Sequence, residues 1–177
     1  IDAAIGLRRR HGLRADAIER VTCGIAPWAV PIVCEPRAPK LRPDSDMSAI
    51  ASLPYQVGVA LADGRVDLDA LGPSFRTRPD ILDLAARIDH EPDESLGRGF
   101  DGTITVRLKS GARLQSAAES ALPDRAKLLA KFAANARRAI PDPAAGRLQE
   151  AILSGPVPDF DRLAMTLCDT PYQGRVA

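Results

Sequence analysis

The stretch from Gly102 to Ala118 constrains this chain most. Thr103, Thr105 and Arg107 alternate with Ile104, Val106 and Leu108, Lys109-Ser110-Gly111 follows, and a second run returns from Ala112 through Arg113, Leu114 and Gln115. Alternation of period two, broken by a glycine-containing turn, describes a hairpin with one buried and one wet face. Such a hairpin needs partners and a cover. Ile18 to Ile25 alternates in the same way, with Val21, Cys23 and Ile25 on one side and Ile18, Arg20 and Thr22 on the other. Arg87 to Glu91 reads as one more short strand. The expectation is an α+β domain with a small antiparallel sheet of about three or four strands packed against several helices.

The cover is legible in the helical periods. Residues 1–11 read as an amphipathic helix with Ile1, Ile5 and Leu7 on its apolar side and Gly12 just past its end. Arg8-Arg9-Arg10 falls in its last turn, where cations complement the helix dipole. A helix capped by Asp44 or Ser45 should run from Met47 to Ala62, with Ile50, Leu53, Val57, Ala60 and Leu61 on one face. Pro54 should lie in its first turns or kink it, and Asp63-Gly64 should close it. A helical turn near Leu68–Leu71 and a helix opened by Arg78-Pro79-Asp80 follow. A helix from Pro123 to Arg138 should bury Leu128, Leu129, Phe132 and Ala136, and a last one should run from about Ala144 to Leu153. Between Ala26 and Asp46, Pro27, Pro31, Pro36, Pro39 and Pro43 predict an irregular loop. Residues 154–177 mix Gly, Pro and scattered apolar side chains and should pack loosely.

Charge excludes several partners. Lys+Arg number 24 against 23 Asp+Glu, so the net charge of +1 gives no reason to expect nucleic acid or an anionic membrane. The uncharged stretch Cys23 to Cys34 is too short to span a bilayer and holds two prolines. No signal-peptide pattern is visible. The three cysteines, Cys23, Cys34 and Cys168, cannot all pair within one chain and match no zinc spacing, so they read as small buried hydrophobes in a reducing, cytoplasmic compartment. Twenty Arg against four Lys, in an Ala-rich background, suggests a GC-rich bacterial genome.

The residues assemble no complete catalytic constellation. Gly97-Arg98-Gly99 lacks the strand–helix frame of a dinucleotide site, and no Gly-x-Ser-x-Gly elbow occurs. His11 and His90 stand at no metal-ligand spacing and read as solvated surface groups. Asp89, Glu91, Asp93 and Glu94 read as a solvated acidic edge, and no metal or cofactor is expected.

Ser52-Leu53-Pro54-Tyr55, followed by Ala60-Leu61 and Asp63-Gly64, resembles the Ser-Leu-Pro-Tyr … Ala-Leu … Asp-Gly signature of the MmgE/PrpD family. That family includes 2-methylcitrate dehydratase and cis-aconitate decarboxylase. Ile1-Asp2-Ala3-Ala4, Asp16 to Val21, Arg78 to Ile81, Leu84 to Ile88 and Lys131 to Ala136 are similar to its other segments, in the family's order, so the resemblance covers about residues 1–153. Ala51 stands where the family has an aromatic residue, and the loop 119–123 is shorter than the family's.

The resemblance implies the smaller α+β lid of a two-domain enzyme. Residues 1–140 would form the lid, and residues 141–177 a returning helix and tail belonging to a helical domain. The cleft would be shared with that missing domain, which holds most of the catalytic groups. It further implies a small polycarboxylate substrate, proton abstraction beside a carboxylate with loss of water, and a homodimer in the full-length protein. Decarboxylation or epimerisation starts by the same step. Tyr55 is the lid's implied catalytic and substrate-binding residue, through a phenol that hydrogen-bonds a carboxylate or donates a proton to a departing hydroxyl. Ser52 is the second implied substrate contact; with no base visible nearby, it reads as an N-terminal helix hydroxyl and not as a nucleophile. The chain alone is expected to be inactive, and the first residue, Ile1 in place of Met, fits a fragment. The alternative is a free-standing α+β binding or assembly module without chemistry.

Overall fold

Four strands form one sheet in the order β2-β1-β3-β4, where β1 is Ile18–Ile25, β2 Ile88–Pro92, β3 Gly102–Leu108 and β4 Arg113–Ala118. The computed structural model describes residues 1–118, 125–153, 161, 164 and 165. The chain divides into two compact units, Ile1–Ser120 and Ala121–Ala177.

The β3–β4 hairpin forms as its alternation requires, with Gly111 at φ 88° in the turn, a conformation that favours glycine. β1 adds antiparallel to β3, pairing Val21 with Val106 and Cys23 with Ile104. The register shifts between Ile18 and Arg20. This irregularity lets Ile18 and Val21 both be fully buried, although simple alternation places them on opposite faces. The sheet is mixed, not wholly antiparallel: β2 runs parallel to β1, with Val21 opposite Ile88 and Ile25 opposite Pro92. A parallel neighbour requires a long crossover, and the 26–87 stretch supplies it. Pro92, which has no amide hydrogen, is tolerated because β2 is an edge strand.

Helices cover one face of the sheet. α1, Asp2–His11, ends at Gly12 in the left-handed conformation (φ 57°) and buries Ala3, Ala4 and Leu7. Ile1 remains 50% exposed, so the buried stripe is rotated toward the small residues relative to the expected one. Arg8 does more than complement a dipole: its Nη1 donates to the carbonyls of Leu13 and Leu61, both at 2.8 Å, tying the end of α1 to the second layer.

The long helix expected from Met47 is two helices. α4, Asp46–Ile50, starts at a reciprocal Ser45–Ser48 capping box, and α5, Leu53–Asp63, starts again at Ser52. Pro54 sits in the first turn of α5, where its missing N–H costs no hydrogen bond, so it marks a start and not a kink. Residues 54–61 of α5 are all buried, which makes it a central helix and not a one-faced surface one. Ile50, assigned above to the same face, ends α4 and is 54% exposed.

The proline-rich 26–46 stretch is not an irregular loop. It folds into a 3₁₀ turn at Pro27–Ala29, then α2 (Val30–Val33) and α3 (Arg37–Leu41), with a cis Glu35–Pro36 bond between them. Pro27 and Pro31 sit at helix starts, where proline is compatible with helix. The Leu68–Leu71 turn forms as expected, α6 (Pro73–Arg76) follows it, and α7 spans Pro79–Ala86. Gly58 allows α7 close to α5, since a Cβ there would lie 3.2 Å from the Ile81 carbonyl oxygen.

In the second unit, α8 (Arg125–Ala136) and α9 (Asp142–Leu153) form a helical pair with Ile140, Ala144 and Ala145 buried. The apolar face expected for α8 is not buried: Leu128 is 51% exposed, and Leu129, Phe132 and Ala136 are only partly covered. Most of the 154–177 tail and the shortened 119–123 loop lie outside the described residues.

Candidate functional site

Ser52 and Tyr55 come together at the start of α5. The Ser52 hydroxyl accepts from the Tyr55 amide at 3.1 Å and donates to the Lys40 carbonyl at 2.5 Å. It is a helix cap that also ties α3 to α5. The Tyr55 side chain is fully buried among Ala49, Val59, Ala70 and Ile81, and its hydroxyl donates to the Ala70 carbonyl at 2.5 Å. Burial pushes the phenol pKa above its usual value, so at neutral pH the group is a hydrogen-bond donor and not a base. Neighbouring polar groups are spent in the same manner. Gln56 Nε2 donates to the Ala49 carbonyl at 2.9 Å, and Lys40 Nζ donates to the carbonyls of Ile32 and Ala51.

Arg78 pins the other end of α5. Its guanidinium makes two bonds to Asp63, at 2.7 and 2.9 Å, reaches Asp80 at 2.6 Å, and lies 5.0 Å from the centre of the Phe75 ring. The Arg78 hydrogen bonds hold the Asp80 carboxyl below the usual carboxylate range. Every buried side-chain nitrogen and oxygen among the described residues has a partner.

The remaining polar candidates do not converge. Asp89 is held by Arg20 at 3.0 Å and Arg37 at 2.8 Å, and Asp93 accepts from the Ser95 amide and hydroxyl. Among the described residues no three His, Cys, Asp or Glu side chains are grouped to hold a metal ion. His11 is exposed at the end of α1 and His90 is half-buried on β2. Cys23 and Cys34 are free, buried thiols, and burial pushes them up to about 12 and about 11, far from thiolate chemistry at neutral pH. Cys168 lies outside the described residues. No described helix is long and apolar enough to cross a membrane.

Sequence reasoning missed an apolar cavity of about 290 Å³ in the first unit. Its floor is made by Cys23 and Ile104 of the sheet and Val57 of α5, and Ile1, Trp28, Ile32 and Phe100 stand at its mouth. Trp28 and Phe100 meet edge to face, with centroids 6.1 Å apart at 72°. The available signal was the single Trp beside a run of apolar residues in a proline-rich segment, but Phe100 lies far along the chain.

No curated protein matches this chain. Residues 1–154 match the MmgE/PrpD C-terminal domain, most of the chain's length. The Ser52–Tyr55 signature lies within the matched segment, and this chain belongs to the MmgE/PrpD family.

Proposed function

We propose that this chain is the lid portion of an MmgE/PrpD-like enzyme acting on a small polycarboxylate. The reaction is abstraction of a proton beside a carboxylate, coupled to loss of water, as in 2-methylcitrate dehydration. The match of residues 1–154 to the family's C-terminal domain carries this reading. The scarcity of free catalytic groups supports a shared site: among the described residues, the hydroxyls and ammonium around Ser52, Tyr55 and Lys40 all serve the backbone of the chain itself. The base, the acid and most of the anion-binding cations would come from a helical domain ahead of Ile1, in a homodimeric, cytoplasmic bacterial enzyme.

Within this proposal Ser52 and Tyr55 hold the lid's central helix at a fixed pitch. A direct role for Tyr55 on the substrate requires its hydroxyl to leave the Ala70 carbonyl. Two assays test the function. The 177-residue chain alone should not turn over 2-methylcitrate or cis-aconitate, followed by ultraviolet absorbance of the unsaturated acid; turnover would refute the shared site. The longer polypeptide carrying the helical domain should dehydrate 2-methylcitrate. Silence there toward every polycarboxylate offered would leave the binding-module reading in its place.

A further inference from the structure

We propose that a cleft of about 370 Å³ in the first unit, lined by Arg8, Arg9 and Arg14, binds a small oxyanion bearing carboxylate or phosphate groups. Arg8, Arg9 and Arg10 share the last turn of α1, yet their side chains do different work. Arg10 turns to β4 and donates to the Ser116 hydroxyl at 2.8 Å. Arg8 bridges the carbonyls of Leu13 and Leu61. Among the described residues nothing holds Arg9, which stands exposed.

Two left-handed glycines shape the cleft. Gly12 ends α1 at φ 57° and Gly64 ends α5 at φ 73°. A Cβ on Gly64 would lie 3.0 Å from Nε of Arg8, whereas the space beside Gly12 is open. Both bonds of Arg8 run through Nη1, so its Nε is left on the Gly64 side. Ile5 and Leu13 add an apolar wall.

The lining carries three guanidinium groups and no carboxylate. Carbonyls that could satisfy them are already occupied: the Arg8 carbonyl accepts the amides of Gly12 and Leu13, and the Ala60 carbonyl accepts that of Gly64. Asp63, beside Gly64, is taken by two bonds from Arg78. Asp16 competes for Arg14 at 3.0 Å, but both side chains are largely exposed, and such a pair is worth little in water. Like charges around one concavity repel until an anion sits among them. Guanidinium forks also match carboxylate and phosphate oxygens two at a time. A multivalent oxyanion gains from several of them at once; chloride does not.

Isothermal titration calorimetry tests the cleft in the 177-residue chain. Tricarballylate, in about 20 mM sodium chloride, should fill one saturable site with a Kd of roughly 0.1–1 mM, and inorganic phosphate should compete for it. The uncharged trimethyl ester of tricarballylate should not bind. Arg9→Gln and Arg14→Gln should each weaken binding about fivefold or more with circular dichroism unchanged, because both side chains are exposed. Arg147→Gln, at an exposed position of α9, should leave Kd in place. Binding requires no turnover, so this result is separate from that of the dehydration assay. Absence of saturable heat with both anions, full affinity in Arg9→Gln, or an equal loss in Arg147→Gln overturns the proposal.

Discussion

The surroundings of α5 and the cavity mouth treat their side chains in opposite ways: polar groups are satisfied inside, and large apolar groups are left in water. Around α5, Tyr55, Ser52, Gln56 and Arg78 are each consumed by a carbonyl, an amide or a carboxylate of the same chain. At the mouth, Ile1, Trp28, Ile32 and Phe100 leave 41–84% of their surface in water, where large apolar groups are costly. A motif rich in hydroxyls reads as chemistry, yet here it builds a tightly satisfied helix. The large apolar groups left facing water form no motif.

The comparison breaks most visibly in the core. Leu84→Ala, at a fully buried position of α7, should cost about 2–5 kcal/mol, measured by denaturant unfolding. Gly58→Val should come next, at about 1–3 kcal/mol, because its side chain would press on the Ile81 carbonyl where α5 and α7 touch. If Gly58→Val is neutral, the close approach of these helices is wrong. Ser52→Ala should cost about 1 kcal/mol through loss of the cap and of the tie to Lys40.

The smallest expected effect is a pH dependence. Asp80 has its folded pKa depressed, mainly by the hydrogen bond from Arg78. Its contribution is present above the unfolded value of about 3.9 and is lost as pH falls below it through the folded pKa. Asp80→Asn should therefore lower stability slightly near neutrality, and its difference from the native chain should shrink as pH falls below about 4. Because this side chain is half-exposed, a large change at pH 7 would mean that the Arg78 cluster is more deeply involved than its geometry indicates.

Elements with a clean period were legible in the sequence. β1, the β3–β4 hairpin and α7 stand where alternation and the Arg78-Pro79 start place them. Three features were hidden for definable reasons. A proline inside an apolar run can begin a helix as well as kink one, so Ser52 and Pro54 did not reveal the break between α4 and α5. Periodicity fixes which face of a strand is buried but not its partner, so the parallel β1–β2 pairing was invisible. The cavity joins Ile1, Trp28, Val57 and Phe100, residues far apart in sequence that only the crossover brings together. The signature falls on α5, where Ser52 is the cap and Tyr55 sits on the first turn against the Ala70 carbonyl.

The contrast between a spent motif and an open mouth rests on Tyr55, and a pair of melting curves tests it most directly. Tyr55→Phe strands the Ala70 carbonyl in the core at a cost of about 1–2 kcal/mol, so its Tm should fall by roughly 2–8 °C. Phe100→Ala, at the exposed rim, should change stability by less than about 0.5 kcal/mol and leave Tm nearly in place. An unchanged Tm for Tyr55→Phe beside a clear loss for Phe100→Ala would contradict the account.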